Sequence, residues 1–128
     1  MKKILLAEDR EDDIIMARRV LQKIGSDCLL TVARDGQQAL DMLIGVNAEK
    51  FNLVLLDIQL PKIDGLDVLG RIRADKSVAH QAVVMLTSSS SQADVAEAGR
   101  LGADLYVTKP LGIKEFETCM KSILERFF

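Results

Sequence analysis

Short apolar runs alternate with amphipathic stretches along this chain. The runs cover residues 4–7, 29–33, 51–56, 82–86 and 104–108, and 51–56 is the most apolar. Runs this short and this uniformly apolar predict strands buried on both faces. Between 12 and 24, Ile14, Ile15, Ala17, Val20, Leu21 and Ile24 share one side of a helix, with Arg18, Arg19, Gln22 and Lys23 on the other. Gly25 is the expected stop of that helix. Further helices are expected at 37–44, 66–74, 92–101 and 113–127. Gly102 closes the fourth, and Phe116, Met120, Ile123, Leu124 and Phe127 form the inner stripe of the last.

Five strand–helix steps with short connections imply right-handed crossovers and a parallel sheet covered on both faces. The fold class is therefore α/β. It is expected to be a flavodoxin-like, doubly wound five-stranded sheet in the order 2-1-3-4-5, flanked by five helices. Ligands of such sheets lie beyond the carboxyl ends of the strands, where the strand order reverses. The 128 residues are read as a single domain, 1–128, with no repeat and no linker.

Composition narrows the field of functions. Lys and Arg number 17 against 19 Asp and Glu, a net charge of −2, so the basic excess of a nucleic-acid-binding domain is missing. No apolar run approaches the roughly 20 residues of a membrane helix. The opening Met1-Lys2-Lys3 and the apolar 4–7 imitate a secretion signal, but Glu8-Asp9 ends the run too early, and a cytoplasmic location is expected. Cys28 and Cys119 are read as small core hydrophobes, and His80, the single histidine, as a loop residue. That leaves carboxylates, hydroxyls and lysines for chemistry.

The strand ends carry such groups. Glu8-Asp9 follow the first run, Asp57 the third, Thr87 the fourth and Lys109-Pro110 the fifth. In the order 2-1-3-4-5 these ends are neighbours and share one cleft. Three carboxylates a few ångströms apart repel by on the order of a few kcal/mol per pair, so a hard cation such as Mg²⁺ is expected among them. Asp57 can act as nucleophile and take a phosphoryl group as an acyl phosphate, with Thr87 and Lys109 meeting the phosphoryl oxygens. Each residue also has an ordinary reading: Asp57 and Thr87 as caps or turns, Lys109 as a solvated lysine. Glu11, Asp12 and Asp13 are read as dipole partners at a helix start.

Four separated stretches carry a resemblance over the whole length. They are Ile4-Leu5-Leu6-Ala7-Glu8-Asp9, the segment from Leu55-Leu56-Asp57 to Asp64-Gly65, Val84-Met85-Leu86-Thr87-Ser88, and Ala103 to Lys109-Pro110. The chain resembles a response-regulator receiver domain of the CheY type. The resemblance implies phosphorylation at Asp57. It implies Mg²⁺ as cofactor, held by Asp9, Asp57 and the backbone carbonyl of Gln59, with Glu8 acting largely through water. It implies phosphoryl binding by Thr87, Lys109 and the Ser88 backbone N–H, and a switch formed by Thr87 and Tyr106. It implies a cis bond before Pro110, and it places Gln59 and Ser89 beside the path of a hydrolytic water. Leu60-Pro61-Lys62, the serines 88–91 and Phe127-Phe128 further resemble small receivers that serve phytochrome-type histidine kinases.

The function so implied is that of a stand-alone response regulator in a two-component phosphorelay. It is a phosphoacceptor rather than an enzyme, although it takes part in its own phosphorylation and autodephosphorylation. Its expected partners are a sensor histidine kinase or phosphotransfer protein upstream and a protein target or homodimer downstream, through the face of helix 4, strand 5 and helix 5. Nucleic acid and membrane are not expected partners. Because the last helix runs to the final residues, no covalent output domain is expected. Two rivals remain at this stage. A haloacid-dehalogenase-type phosphatase would carry a second Asp two residues after the nucleophile, where Gln59 stands. A pseudo-receiver would lack acceptor or metal residues.

Overall fold

The computed structural model describes residues 1–24 and 27–128. Ten elements alternate strictly: β1 (Lys2–Ala7), α1 (Glu11–Lys23), β2 (Cys28–Ala33), α2 (Gly36–Leu43), β3 (Leu53–Leu56), α3 (Gly65–Ala74), β4 (Val83–Thr87), α4 (Gln92–Leu101), β5 (Leu105–Thr108) and α5 (Ile113–Phe127). The strands form one parallel sheet in the order β2-β1-β3-β4-β5. Fold class and strand order are those the alternation predicts. The expected stop at Gly25 lies outside the described residues.

Alternation along the central strands divides the core in two. Val54 and Leu56 of β3, with Val83 and Met85 of β4, face the layer of α2, α3 and α4. Leu53, Leu55, Val84 and Leu86 face α1 and α5. Every residue of β3 and β4 is buried, which is why these runs read as continuously apolar. Cys28 and Cys119 pack, half-buried, at the rim of the second layer, and His80 is exposed in a turn.

Local chemistry sets the element ends. No side chain caps α1; Glu11, Asp12 and Asp13 fill its first turn and complement the helix dipole instead. Asp35, Asp64 and Ser91 cap α2, α3 and α4 by accepting a backbone N–H. Gly102 ends α4 in the left-handed region at φ 93°. β3 starts later than the apolar run because Asn52 clasps Lys3 instead: its N–H donates to the Lys3 carbonyl and its Oδ1 accepts the Lys3 N–H, each at 2.8 Å. Phe51 stays in the core without joining the ladder.

Candidate functional site

The sheet register brings the polar strand ends together. Ala7 lies opposite Leu56, so Glu8 and Asp57 are the next residues on adjacent strands, and the Asp57 N–H still donates to the Ala7 carbonyl at 3.1 Å. Thr87 lies opposite Thr108, and the N–H of Lys109 donates to the Thr87 carbonyl at 2.8 Å. Glu8, Asp57 and Thr87 are 1%, 4% and 0% exposed, and they are the buried polar residues among the described ones. Burying such groups is costly unless they are partnered. Here all three stand at one end of one sheet.

Lys109 is the partner that ties them. Its Nζ donates to Asp57 Oδ2 at 3.0 Å, to Asp13 Oδ2 at 3.0 Å, and to Glu8 Oε1. The remaining oxygens are also used. Glu8 Oε2 accepts the Arg10 N–H at 3.1 Å, and Asp57 Oδ1 accepts the Gln59 N–H at 3.3 Å. Among the described residues no buried side-chain polar atom lacks a partner. Burial disfavours the Lys109 charge, but hydrogen bonds to Glu8 and Asp13 and the field of Asp57 outweigh it and hold the ammonium well above the ordinary lysine range. Burial pushes the Glu8 carboxyl up, and the hydrogen bonds from Lys109 and the Arg10 N–H offset this only in part.

Three carboxylates around one ammonium leave a formal charge of −2. Among the described residues no three Asp, Glu, His or Cys side chains stand ready as a metal site, since Lys109 sits between the carboxylates. The donor chemistry nonetheless fits a hard divalent cation, with oxygen ligands throughout and an excess of negative charge equal to that of the ion.

Beside the carboxylates lies a second linked group. Thr87 Oγ1 accepts the Ser89 N–H at 3.3 Å, and the Tyr106 hydroxyl donates to the Ser89 carbonyl at 2.7 Å. The backbone of residue 89 therefore bridges Thr87 and Tyr106. Ser89 Oγ donates to Asp94 Oδ2 at 2.5 Å, on the first turn of α4.

Residues 4–121 match the family model described as the response regulator receiver domain. The chain belongs to the response-regulator receiver family. The receiver is 35% identical over 125 residues to the alkaline phosphatase synthesis transcriptional regulatory protein PhoP of Bacillus subtilis, covering 98% of this chain and 49% of that protein. To the transcriptional regulatory protein CpxR of Escherichia coli it is 36% identical over 127 residues, covering 98% and 50%. The chain thus spans about half the length of these curated relatives. Among solved structures, the phosphorylated cyanobacterial phytochrome response regulator RcpA superposes with a TM-score of 0.90 at 31% identity, covering 98% of this chain and 93% of that one. The Mn²⁺-bound form of response regulator Rcp1 gives 0.87 at 35%, covering 96% and 91%. Receiver domains are the phosphorylation-based signalling modules of two-component systems and interact with histidine kinases and downstream targets.

Within this receiver Glu8, Asp57, Thr87 and Lys109 converge. Asp9 is exposed one residue beyond Glu8, and Gln59 and Ser88 are exposed at the rim. Gln59 joins through its backbone N–H. The expected cis bond before Pro110 is not found: the Lys109–Pro110 peptide is trans, like every described peptide bond. The tertiary amide itself favours trans by about 0.5–1 kcal/mol, and with this isomer the Lys109 ammonium already reaches all three carboxylates. Asp13 makes a contact that sequence reasoning missed: it lies in the first turn of α1 as expected, and its carboxylate also accepts from Lys109. Its spacing from Glu8 is the available signal, since a tight strand–helix turn folds the third helical residue back over the strand end.

Proposed function

We propose that residues 1–128 form one receiver domain that accepts a phosphoryl group on Asp57. The observation that carries this reading is the Lys109 ammonium 3.0 Å from the buried carboxylate of Asp57, beside the buried hydroxyl of Thr87. Asp57 ends β3, the middle strand of the five, between β1 and β4. Its Oδ2 attacks phosphorus as the bond to the donor's imidazole nitrogen breaks, and an acyl phosphate results. Lys109 and the Ser88 N–H then meet phosphoryl oxygens, and Thr87 Oγ1 turns to another.

Mg²⁺ would be held by Asp9, Asp57 and the Gln59 carbonyl, with Glu8 acting through water. When bound, it neutralises charge developing on the transferred group. The Mn²⁺-bound Rcp1 structure supports a divalent ion in this type of site. On phosphorylation, movement of Thr87 pulls on residue 89, and through it on Tyr106. The change is passed to the face of α4, β5 and α5, where a protein target or a second copy docks. The donor is a sensor histidine kinase or a phosphotransfer protein. Neighbours described as phytochrome response regulators support a kinase of the phytochrome type. A net charge of −2 argues against nucleic acid as a partner of this domain. Among the described residues no helix is long and apolar enough to cross a membrane, in keeping with work in the cytoplasm.

Incubation with acetyl phosphate tests the reading. With Mg²⁺ the chain gains one acid-stable, base-labile phosphate, and without Mg²⁺ or in Asp57→Asn it gains none. Equal labelling of Asp57→Asn refutes the assignment of the acceptor. Continuous turnover without accumulation points instead to a phosphatase.

A further inference from the structure

Asp13 lies outside the set of residues that the proposed phosphoacceptor site needs, yet it makes one of the three contacts of Lys109. It differs from the other two partners in place and exposure. Glu8 and Asp57 are buried at strand ends, whereas Asp13 stands on α1 with its side chain 25% exposed. Lys109 itself is 11% exposed. The other cation near Asp13 is Arg10, whose Nε lies 3.7 Å from the same Oδ2 and is itself largely solvated.

We propose that Asp13 is a positioning residue that holds Lys109 at the edge of the site while a divalent cation takes over its other partners. The proposal rests on the reading of Asp57 as a metal-dependent phosphoacceptor. A dication drawing on Asp57 and Glu8 repels the ammonium that now shares them. Among the described residues Asp13 is then the acceptor left to Lys109. Before the metal binds, losing Asp13 leaves Lys109 two carboxylates. After it binds, losing Asp13 leaves a mostly buried ammonium without a partner, which is costly. Asp13 therefore favours the metal-bound protein by more than its charge alone. Once Asp57 carries a phosphoryl group, the new oxygens give Lys109 a partner and the contribution of Asp13 fades. Being on a helix, Asp13 keeps the ammonium within reach of the phosphoryl group without following it.

The test is the Mg²⁺ dissociation constant, read by calorimetry or from melting temperature against Mg²⁺ concentration. It is measured in wild type, Asp13→Asn, Lys109→Met and the double variant. Asp12→Asn serves as control, because it removes the same charge from the neighbouring, exposed position. Asp13→Asn should weaken Mg²⁺ about tenfold, the lower end of what losing a hydrogen bond to a charged group costs. Asp12→Asn should weaken it less than about twofold, as expected for a screened surface charge. In the Lys109→Met background, Asp13→Asn should change it by no more than about threefold. With beryllofluoride added as a phosphoryl mimic, the gap between wild type and Asp13→Asn should close. An equal loss with and without Lys109 overturns the proposal, because Asp13 would then act on the cation directly. So does an Asp13→Asn variant that binds Mg²⁺ like wild type. Failure of the wild type to bind Mg²⁺ at all refutes instead the metal-dependent phosphoacceptor reading on which the proposal depends.

Discussion

Two glycines five residues apart in α3 should respond to alanine in opposite directions. Gly65 opens the helix just beyond the loop that follows Asp57. A Cβ there would lie 1.9 Å from the Asp57 carbonyl oxygen, 2.7 Å from its carbon and 2.8 Å from the Ile58 Cα. Ordinary contact begins at 3.4 Å, so backbone must move by about 1.5 Å, and no flexible side chain can yield in its place. The movement also strains the Gly65 N–H bond to the Ile58 carbonyl, now 2.7 Å long. Overpacking of this kind costs about 1–3 kcal/mol and the hydrogen bond about 1 more. Gly70 lies inside the same helix, and its nearest foreign atom is Leu101 Cδ2 at 3.6 Å. Alanine fits there and should stabilise by ~0.5–1 kcal/mol through helix propensity. Urea unfolding of both variants measures the difference, which should reach about 3 kcal/mol or more. Labelling by acetyl phosphate adds a second reading. Displacing the reacting carboxylate by about 1 Å should slow Gly65→Ala on the order of a hundredfold, with Gly70→Ala unaffected. A Gly65→Ala protein as stable and as readily labelled as wild type would refute the argument from close approach.

Two further expectations follow from strain and charge. Lys62 sits at φ 68° in the loop between β3 and α3, with the Ile63 N–H reaching back to the Pro61 carbonyl at 2.8 Å. Asparagine tolerates this region better, so Lys62→Asn should stabilise by ~0.5–1 kcal/mol. Urea unfolding in high salt, which weakens the Lys62–Asp35 pair at 3.6 Å, checks this, and a loss of stability contradicts it. Burial raises the Glu8 pKa above the ordinary 4.5, so in the metal-free protein the native state binds more protons than the unfolded state just above that pH. The contribution of Glu8 to stability therefore falls as pH rises from about 4.5 through its folded value. The stability of wild type minus that of Glu8→Gln, followed over pH without metal, should decline across that window, and a rise reverses the inference.

The apolar runs and helical stripes were enough to predict five strands, five helices and their order, because burial on both faces leaves a strand no polar position to spare. Thr87 and Asp57 stood out for the same reason, as polar residues ending runs that are otherwise wholly apolar. Their convergence with Glu8 and Lys109 follows from register, since parallel strands in this order end side by side. Other features depended on three-dimensional contact. Asn52 shortens β3 because it meets Lys3, 49 positions away in sequence. The bond before Pro110 is trans although the motif suggested cis, because an isomer is chosen by the surroundings of the loop and not by the two residues alone. Gly65 carries no sign of its role in sequence, while the structure shows it cleared to let the Asp57 backbone pass. The contact of Asp13 with Lys109 also needed the fold: Asp13 lies in the first turn of α1, as its place in the sequence suggests, and the direction of α1 as it leaves the sheet brings its carboxylate onto Lys109. That direction is fixed by packing of Ile14, Ala17, Val20 and Leu21 against the sheet, a global constraint that a local motif does not carry.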